Sequence, residues 1–225
     1  MQEIASRHQP KLKYLGVCGY AETFTAMREF TLQRDEYSAD EFWVLEHEPV
    51  YTLGQAGRPE HILNSGKIPV IQSDRGGQVT YHGPGQLVLY TLLDIKRLGI
   101  GVRSTVSVLE ASVIELLGDF GISGHRIDRA PGVYVDGAKI SALGLRIRSG
   151  RTYHGIALNV NMDLSPFSGI NPCGYSDLQV TQLTEYGVDT QPADVAQPLI
   201  GHLCRLLGLD YDFESLSMAN VMSKV

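Results

Sequence analysis

Lys139-Ile140-Ser141-Ala142-Leu143-Gly144-Leu145-Arg146-Ile147-Arg148-Ser149-Gly150-Arg151-Thr152-Tyr153-His154-Gly155-Ile156-Ala157-Leu158-Asn159-Val160-Asn161 is the stretch that decides the fold. Two alternating runs meet at Ser149-Gly150, a pair suited to a two-residue hairpin loop. With that loop Arg148 faces Arg151, and pairing proceeds outward at constant sum. Gly144 then faces Gly155, and Ala142 faces Ala157. Side chains alternate between faces with period two. These four small residues therefore share one face with Arg146 and Arg148. Leu143, Leu145, Ile147, Ile156 and Leu158 make the other face, which reads as core. Two readings of the small-residue strip are open: a helix packed closely on it, or an apolar slot wide enough for an alkyl chain.

Outward from this hairpin the pattern continues. Asp136-Gly137 is a second hairpin signal, after a strand over Gly132 to Val135. Arg103 to Phe120 reads as a helix with Val106, Leu109, Val113, Leu116 and Phe120 on one stripe, capped by Gly121. Tyr20 to Asp35 and Pro192 to Leu207 read as helices, and Glu41 to Leu53 as one strand bent near Pro49. Pro59 is placed to open a turn of helix. Hairpin signals outnumber helical crossovers. The expected class is α/β, with a mixed, largely antiparallel sheet and flanking helices.

A second unusual stretch is Arg75-Gly76-Gly77-Gln78-Val79-Thr80-Tyr81-His82-Gly83-Pro84-Gly85-Gln86, between strand-like runs at Ile68 to Ile71 and Leu87 to Leu93. Glycine pairs are unfavourable in ordinary strands. A plain hairpin turn is one reading. The other is a ligand-cradling loop with Arg75 as anchor and free backbone N–H groups as donors. Neither a phosphate loop nor a dinucleotide fingerprint is present.

With 225 residues, 43% of them hydrophobic and 20% charged, the chain reads as one globular domain. The polar start, Met1 to Tyr14, resembles no signal segment, and no run approaches the ~20 apolar residues of a membrane span. Three scattered cysteines, Cys18, Cys173 and Cys204, point to a reducing compartment. No C-x-x-C or H-E-x-x-H occurs, so no metal is expected. The net charge of −6 argues against general nucleic-acid binding. Locally the sign reverses. Arg126, Arg129, Lys139, Arg146, Arg148 and Arg151 stand against Asp128 and Asp136, which suits either a solvated surface or docking of an acidic partner.

Cys173 lies in Ile170-Asn171-Pro172-Cys173-Gly174, where Pro and Gly make a turn that can present a thiol. Cys18 and Cys204 read as packed thiols. A thiol needs a nearby cation to become a nucleophile at neutral pH. Lys139, His82 and His154 are the candidates. Strict alternation puts Lys139 on the face opposite the small-residue strip; a bulge after Asp136-Gly137, or a strand that starts later, would bring it round.

Taken together, the Arg75 to Gln86 block, Lys139 followed by Leu143-Gly144, His154-Gly155 and Pro172-Cys173-Gly174 resemble the lipoyl(octanoyl)transferase family of lipoate biosynthesis. The match spans about Glu46 to Thr181. It implies the catalytic domain of biotin protein ligases and lipoate ligases, as one domain over residues 1–225. It also implies octanoyl transfer from acyl carrier protein to a lysine of lipoyl domains, those of 2-oxoacid dehydrogenases and the glycine cleavage H protein. The resemblance further implies that no cofactor, nucleic acid or membrane takes part and that the location is cytoplasmic. By resemblance, Cys173 is the acyl-accepting nucleophile and Lys139 lowers its pKa. Arg75, Gly76, Gly77, Gln78, Val79, Thr80, Tyr81 and His82 match substrate-contacting positions, as do Ala142-Leu143-Gly144 and Gly155-Ile156-Ala157. An ATP-dependent ligase, a thiol hydrolase and a non-catalytic lipoyl-domain binder are the rivals.

Overall fold

The computed structural model describes residues 9–171 and 178–211. In chain order they form β1 (Lys11–Cys18), α1 (Tyr20–Gln33), β2 (Glu41–His47), β3 (Val50–Leu53), β4 (Val70–Gln72), β5 (Val79–His82), β6 (Gln86–Leu92), α2 (Val102–Asp119), β7 (His125–Ile127), β8 (Ala130–Val135), β9 (Ala138–Arg148), β10 (Arg151–Asn159) and α3 (Pro192–Leu207). Short 3-10 turns occupy Pro59–His61, Ser165–Gly169 and Leu183–Tyr186.

The hairpin pairs as its sequence dictates, with Arg151 opposite Arg148, Gly155 opposite Gly144 and Ala157 opposite Ala142. Its turn has left-handed backbone at Ser149 (φ 52°) and Gly150 (φ 82°), the geometry that matches strand twist. It sits inside a seven-stranded sheet of order β1-β2-β6-β10-β9-β8-β7, parallel only between β1 and β2. Leu89, Ile156 and Leu158 point to one face and pack with Leu109, Val113, Leu199 and Leu203 of α2 and α3. On the opposite face Met27 of α1 packs with Trp43, Val88, Tyr90 and Ala157. α1 therefore covers part of the small-residue face, and the remainder lines an open cavity.

Three sequence expectations change. Glu41 to Leu53 is two strands in two sheets, because the chain leaves the main sheet at Glu48-Pro49 and β3 joins β4 and β5. The Gly-rich stretch is not all loop: Val79–His82 is β5, paired antiparallel to β3. The polar start contains an edge strand, β1. Among the described residues no helix is long and apolar enough to cross a membrane.

Candidate active site

The site begins with a slip in strand pairing. Tyr134 of β8 faces Lys139, yet Val133 faces Ser141, so β9 carries one extra residue, Ile140. Such a bulge rotates the residues before it relative to those after. Ile140 is therefore in the core with Leu143 and Leu145, and Lys139 turns to the cavity side with Ala142 and Gly144. Its Nζ donates to the Pro131 carbonyl at 3.0 Å and lies 5.1 Å from the centre of the Tyr134 ring.

Just beyond, β8 peels away from β9. Pro131 has no N–H, and the Gly132 N–H goes to Glu110 of α2 (3.1 Å). Gly132 is required here. At φ 135° a Cβ would sit 2.6 Å from the Ser141 oxygen and 3.1 Å from Lys139 Cε. Among the described residues the β9 edge beyond Ser141 has no strand neighbour on that side. The Gly-rich loop docks there instead, with the Gly76 N–H on the Leu145 carbonyl (2.9 Å).

A cavity of about 400 Å³ fills the gap between this loop, the hairpin and the start of α2. Arg75 braces its loop wall. The guanidinium donates to Thr52 Oγ1 (3.0 and 2.8 Å), the Thr52 carbonyl (2.6 Å), the Gly76 carbonyl (2.9 Å) and the Gln78 carbonyl (2.8 Å). A Cβ on Gly144 would come within 3.2 Å of Arg75 Cδ, so the glycine lets loop and strand close together.

A chain of buried amides ties the walls together. His82 Nδ1 meets Gln86 Oε1 (2.7 Å), Gln86 Nε2 donates to Asn159 Oδ1 (2.9 Å), and Asn159 Nδ2 donates to the Thr181 carbonyl (2.9 Å). The Thr181 N–H then binds the Lys139 carbonyl (3.0 Å). Lys139 is thereby linked to the strand that carries His82.

A family model for the lipoyl protein ligase A/B catalytic domain matches residues 19–204. The chain belongs to this family. The octanoyltransferase of Alcanivorax borkumensis is 56% identical over 198 residues, 88% of this chain and 80% of that protein. That of Azoarcus sp. is 56% identical over 197 residues, 87% of each. Among solved structures, lipoate-protein ligase A bound with ATP superposes with a TM-score of 0.74 at 15% identity, covering 96% of this chain and 95% of that one. Biotin protein ligase from Aquifex aeolicus gives a TM-score of 0.53 at 18% identity, covering 89% and 69%. At such identity the two structures show a common α/β fold and nothing of activity.

In this lipoyl protein ligase A/B domain the cavity gathers most of the residues singled out in the sequence. Lys139, Ala142 to Gly144, Gly155 to Ala157, Arg75 to Thr80 and His82 all line it. Tyr81 does not. Strand alternation in β5 turns it the other way, onto Tyr51 and Phe167. Cys173 lies outside the described residues. The chain before it is held by the Asn171 N–H on the His61 carbonyl (2.8 Å), and after it Val180 bridges to Lys139. Tyr20, Gln86, Tyr90, Val102, Val106 and Asn159 also line the cavity. Of these only Gln86 carried a local signal, as the end of the Gly-rich block.

Three histidines stand at one end. His154 has a left-handed backbone (φ 61°) within β10, a conformation that costs free energy for a non-glycine residue. It contacts Asp74 (3.1 Å) and stacks on Phe24. Burial lowers its pKa, and Asp74 opposes that shift. Burial holds His82 well below the usual range, helped by His47 and Arg75, and lowers His47 to about 4. All three are neutral at pH 7, and Arg75 is the cation that acts on His82 and His154. Asp74 also accepts a hydrogen bond from Tyr153. Its own pKa is raised by burial, but the His154 and Tyr153 bonds prevail and hold it low.

Three of the six residues of the basic run have an ion-pair partner among the described residues. Arg126 pairs with Glu110 (3.0 Å), Arg151 with Asp94 (3.6 Å) and Arg129 with Asp128 (3.5 Å). Of the two remaining thiols, Cys204 is buried and its pKa is pushed up to about 12, whereas Cys18 is only half-buried, less packed than its sequence suggests.

Proposed function

We propose that this octanoyltransferase takes its acyl group from the thioester of an acyl carrier protein, holds it on Cys173, and passes it to a lysine of a lipoyl domain. The observation that carries this reading is the bulge at Ile140, which puts a buried lysine, Lys139, into the same cavity as the Gly/Ala strip and the Gly-rich loop. The strip suits an alkyl chain shielded from water. An ammonium beside Cys173 favours its thiolate, the attacking species. The thiolate adds to the thioester carbonyl. The carrier sulfur leaves as a thiolate and takes a proton from the Lys139 ammonium, so that Cys173 carries the octanoyl group as a new thioester and Lys139 is left neutral. The neutral lysine amine of the acceptor then attacks. It loses a proton to Lys139 acting as base, and Cys173 departs as a thiolate. Thioester to amide is downhill, so the reaction draws on no nucleotide.

The ligase rival is disfavoured by the relatives: proteins 56% identical are octanoyltransferases, whereas the ligases lie at 15–18%. The test is intact mass after incubation with octanoyl-carrier. The protein should gain one octanoyl group, and Cys173→Ala should gain none. A Cys173→Ala protein that still acquires it would overturn the reading.

A further inference from the structure

The cavity has two arms, and the acyl strip accounts for one. That arm runs past His82, Tyr90, His154 and Ala157 on the α1 face of the sheet. The other passes round the free edge of β9 to the opposite face, where Val102 and Val106 of α2 stand with Leu143, Leu145 and Ile147. It opens to solvent between Val102, 53% exposed, and Arg129 at the tip of the β7–β8 turn.

The wall between the arms is backbone. Leu145 turns its carbonyl away from β10, since Gly76 is its donor. By the period of two, the peptide groups of Leu143 and Ile147 point to that side as well. Among the described residues no strand covers them. Gln78, on the same cavity, keeps a buried side-chain amide oxygen without a protein partner. The arm thus offers peptide donors and acceptors in a row, an extra acceptor, and valine and leucine walls.

We propose that this second arm binds the pantetheine portion of the acyl donor, an inference that rests on the thioester-donor reading above. Pantetheine is an extended chain with two amides and a gem-dimethyl group. Its amides match a free strand edge, as an added strand would. Its methyl groups match Val102 and Val106. Its distal end, which carries the phosphate, emerges at Arg129. The thioester then lies at the junction of the arms, beside Lys139.

The test compares three donors: octanoyl-acyl carrier protein, octanoyl-pantetheine, and the octanoyl thioester of N-acetylcysteamine, which lacks the second amide and the methyl groups. Two variants narrow the arm, Val106→Trp inside it and Val102→Trp at its exposed mouth, where a larger side chain does not strain the core. For each, kcat/KM with the two pantetheine donors should fall at least about tenfold, against about threefold or less for the N-acetylcysteamine thioester. Equal losses with all three donors, or no loss with any, would overturn the proposal. If the wild-type protein transfers octanoyl from none of them, the donor reading itself fails, which is a separate result.

Discussion

Lys139 Nζ donates to the Pro131 carbonyl at 3.0 Å, on the side of the sheet that alternation from the Ser149-Gly150 turn denies it. One unpaired residue, Ile140, produces the reversal. The bulge buries an isoleucine and turns the preceding side chain, Lys139, into the cavity. Bulges recur beside active sites for this reason.

Replacing Lys139 should therefore impair the thiol more than the fold. Lys139→Met keeps the volume and removes the charge. Alkylation of Cys173 by iodoacetamide at pH 7 should slow roughly tenfold, the equivalent of ~1.4 kcal/mol less thiolate stabilisation. The alkylation profile should move to higher pH, while thermal unfolding changes by only a few degrees. An unmoved profile would remove Lys139 from any role in activating the thiol.

Asn159 is the joint of the buried amide chain, and its loss should reach Lys139 through Thr181. Asn159→Leu leaves the Thr181 carbonyl without its side-chain partner and the Gln86 amide with only its longer bond to the Tyr81 carbonyl (3.4 Å). Each orphaned buried group costs about 1–3 kcal/mol, so urea unfolding should show a loss on the order of 2–4 kcal/mol. If the chain also positions Lys139, kcat falls more than KM rises. A variant that is destabilised but keeps its kcat would confine Asn159 to a structural role.

The hairpin from Lys139 to Asn161 was legible because two turn signals and strict alternation fix register without a third strand. The Gly/Ala strip follows from it directly. Whether a bulge or a later strand start turns Lys139 was not legible, because that depends on how β8 pairs, and Pro131 and the Gly132–Glu110 bond make β8 depart. β1 was hidden for a different reason. It is an edge strand whose residues are mostly exposed, so it shows no apolar alternation strong enough to read. β5 was masked by its glycine-rich flanks. The split at Glu48-Pro49 reads locally as a bend, since nothing nearby tells which sheet the second half joins. Tyr20, Tyr90 and Val106 reach the cavity only through tertiary packing.

Filling the strip should shorten the preferred acyl chain. Ala142 lines the cavity opposite Ala157. In Ala142→Leu the added side chain occupies space an octanoyl group would use. The ratio of kcat/KM for octanoyl over butanoyl donors should fall about tenfold, in line with ~1–3 kcal/mol for overfilling an apolar site. An unchanged ratio would place the alkyl chain elsewhere.

His47 should make the protein sensitive to acid. It is fully buried, with Nδ1 3.0 Å from the Cys18 carbonyl and Nε2 2.6 Å from Tyr90 Oη. Donation from Nδ1–H leaves Nε2 to accept from the tyrosine hydroxyl, a neutral ring. Its folded pKa of about 4 lies below the ordinary 6.5. Between those values the unfolded chain binds a proton that the folded protein refuses, so stability is present above pH 6.5 and is lost as the pH falls toward 4. This one residue accounts for a loss on the order of 3 kcal/mol across that window. His82 and His154 add to it with the same sign. Urea unfolding from pH 7 to 4 should show stability falling with acid, and His47→Gln should remove close to one proton from the uptake on unfolding near pH 5. The substitution lowers stability at pH 7 while flattening the pH dependence. A slope that His47→Gln leaves intact would assign the acid sensitivity to the other two histidines.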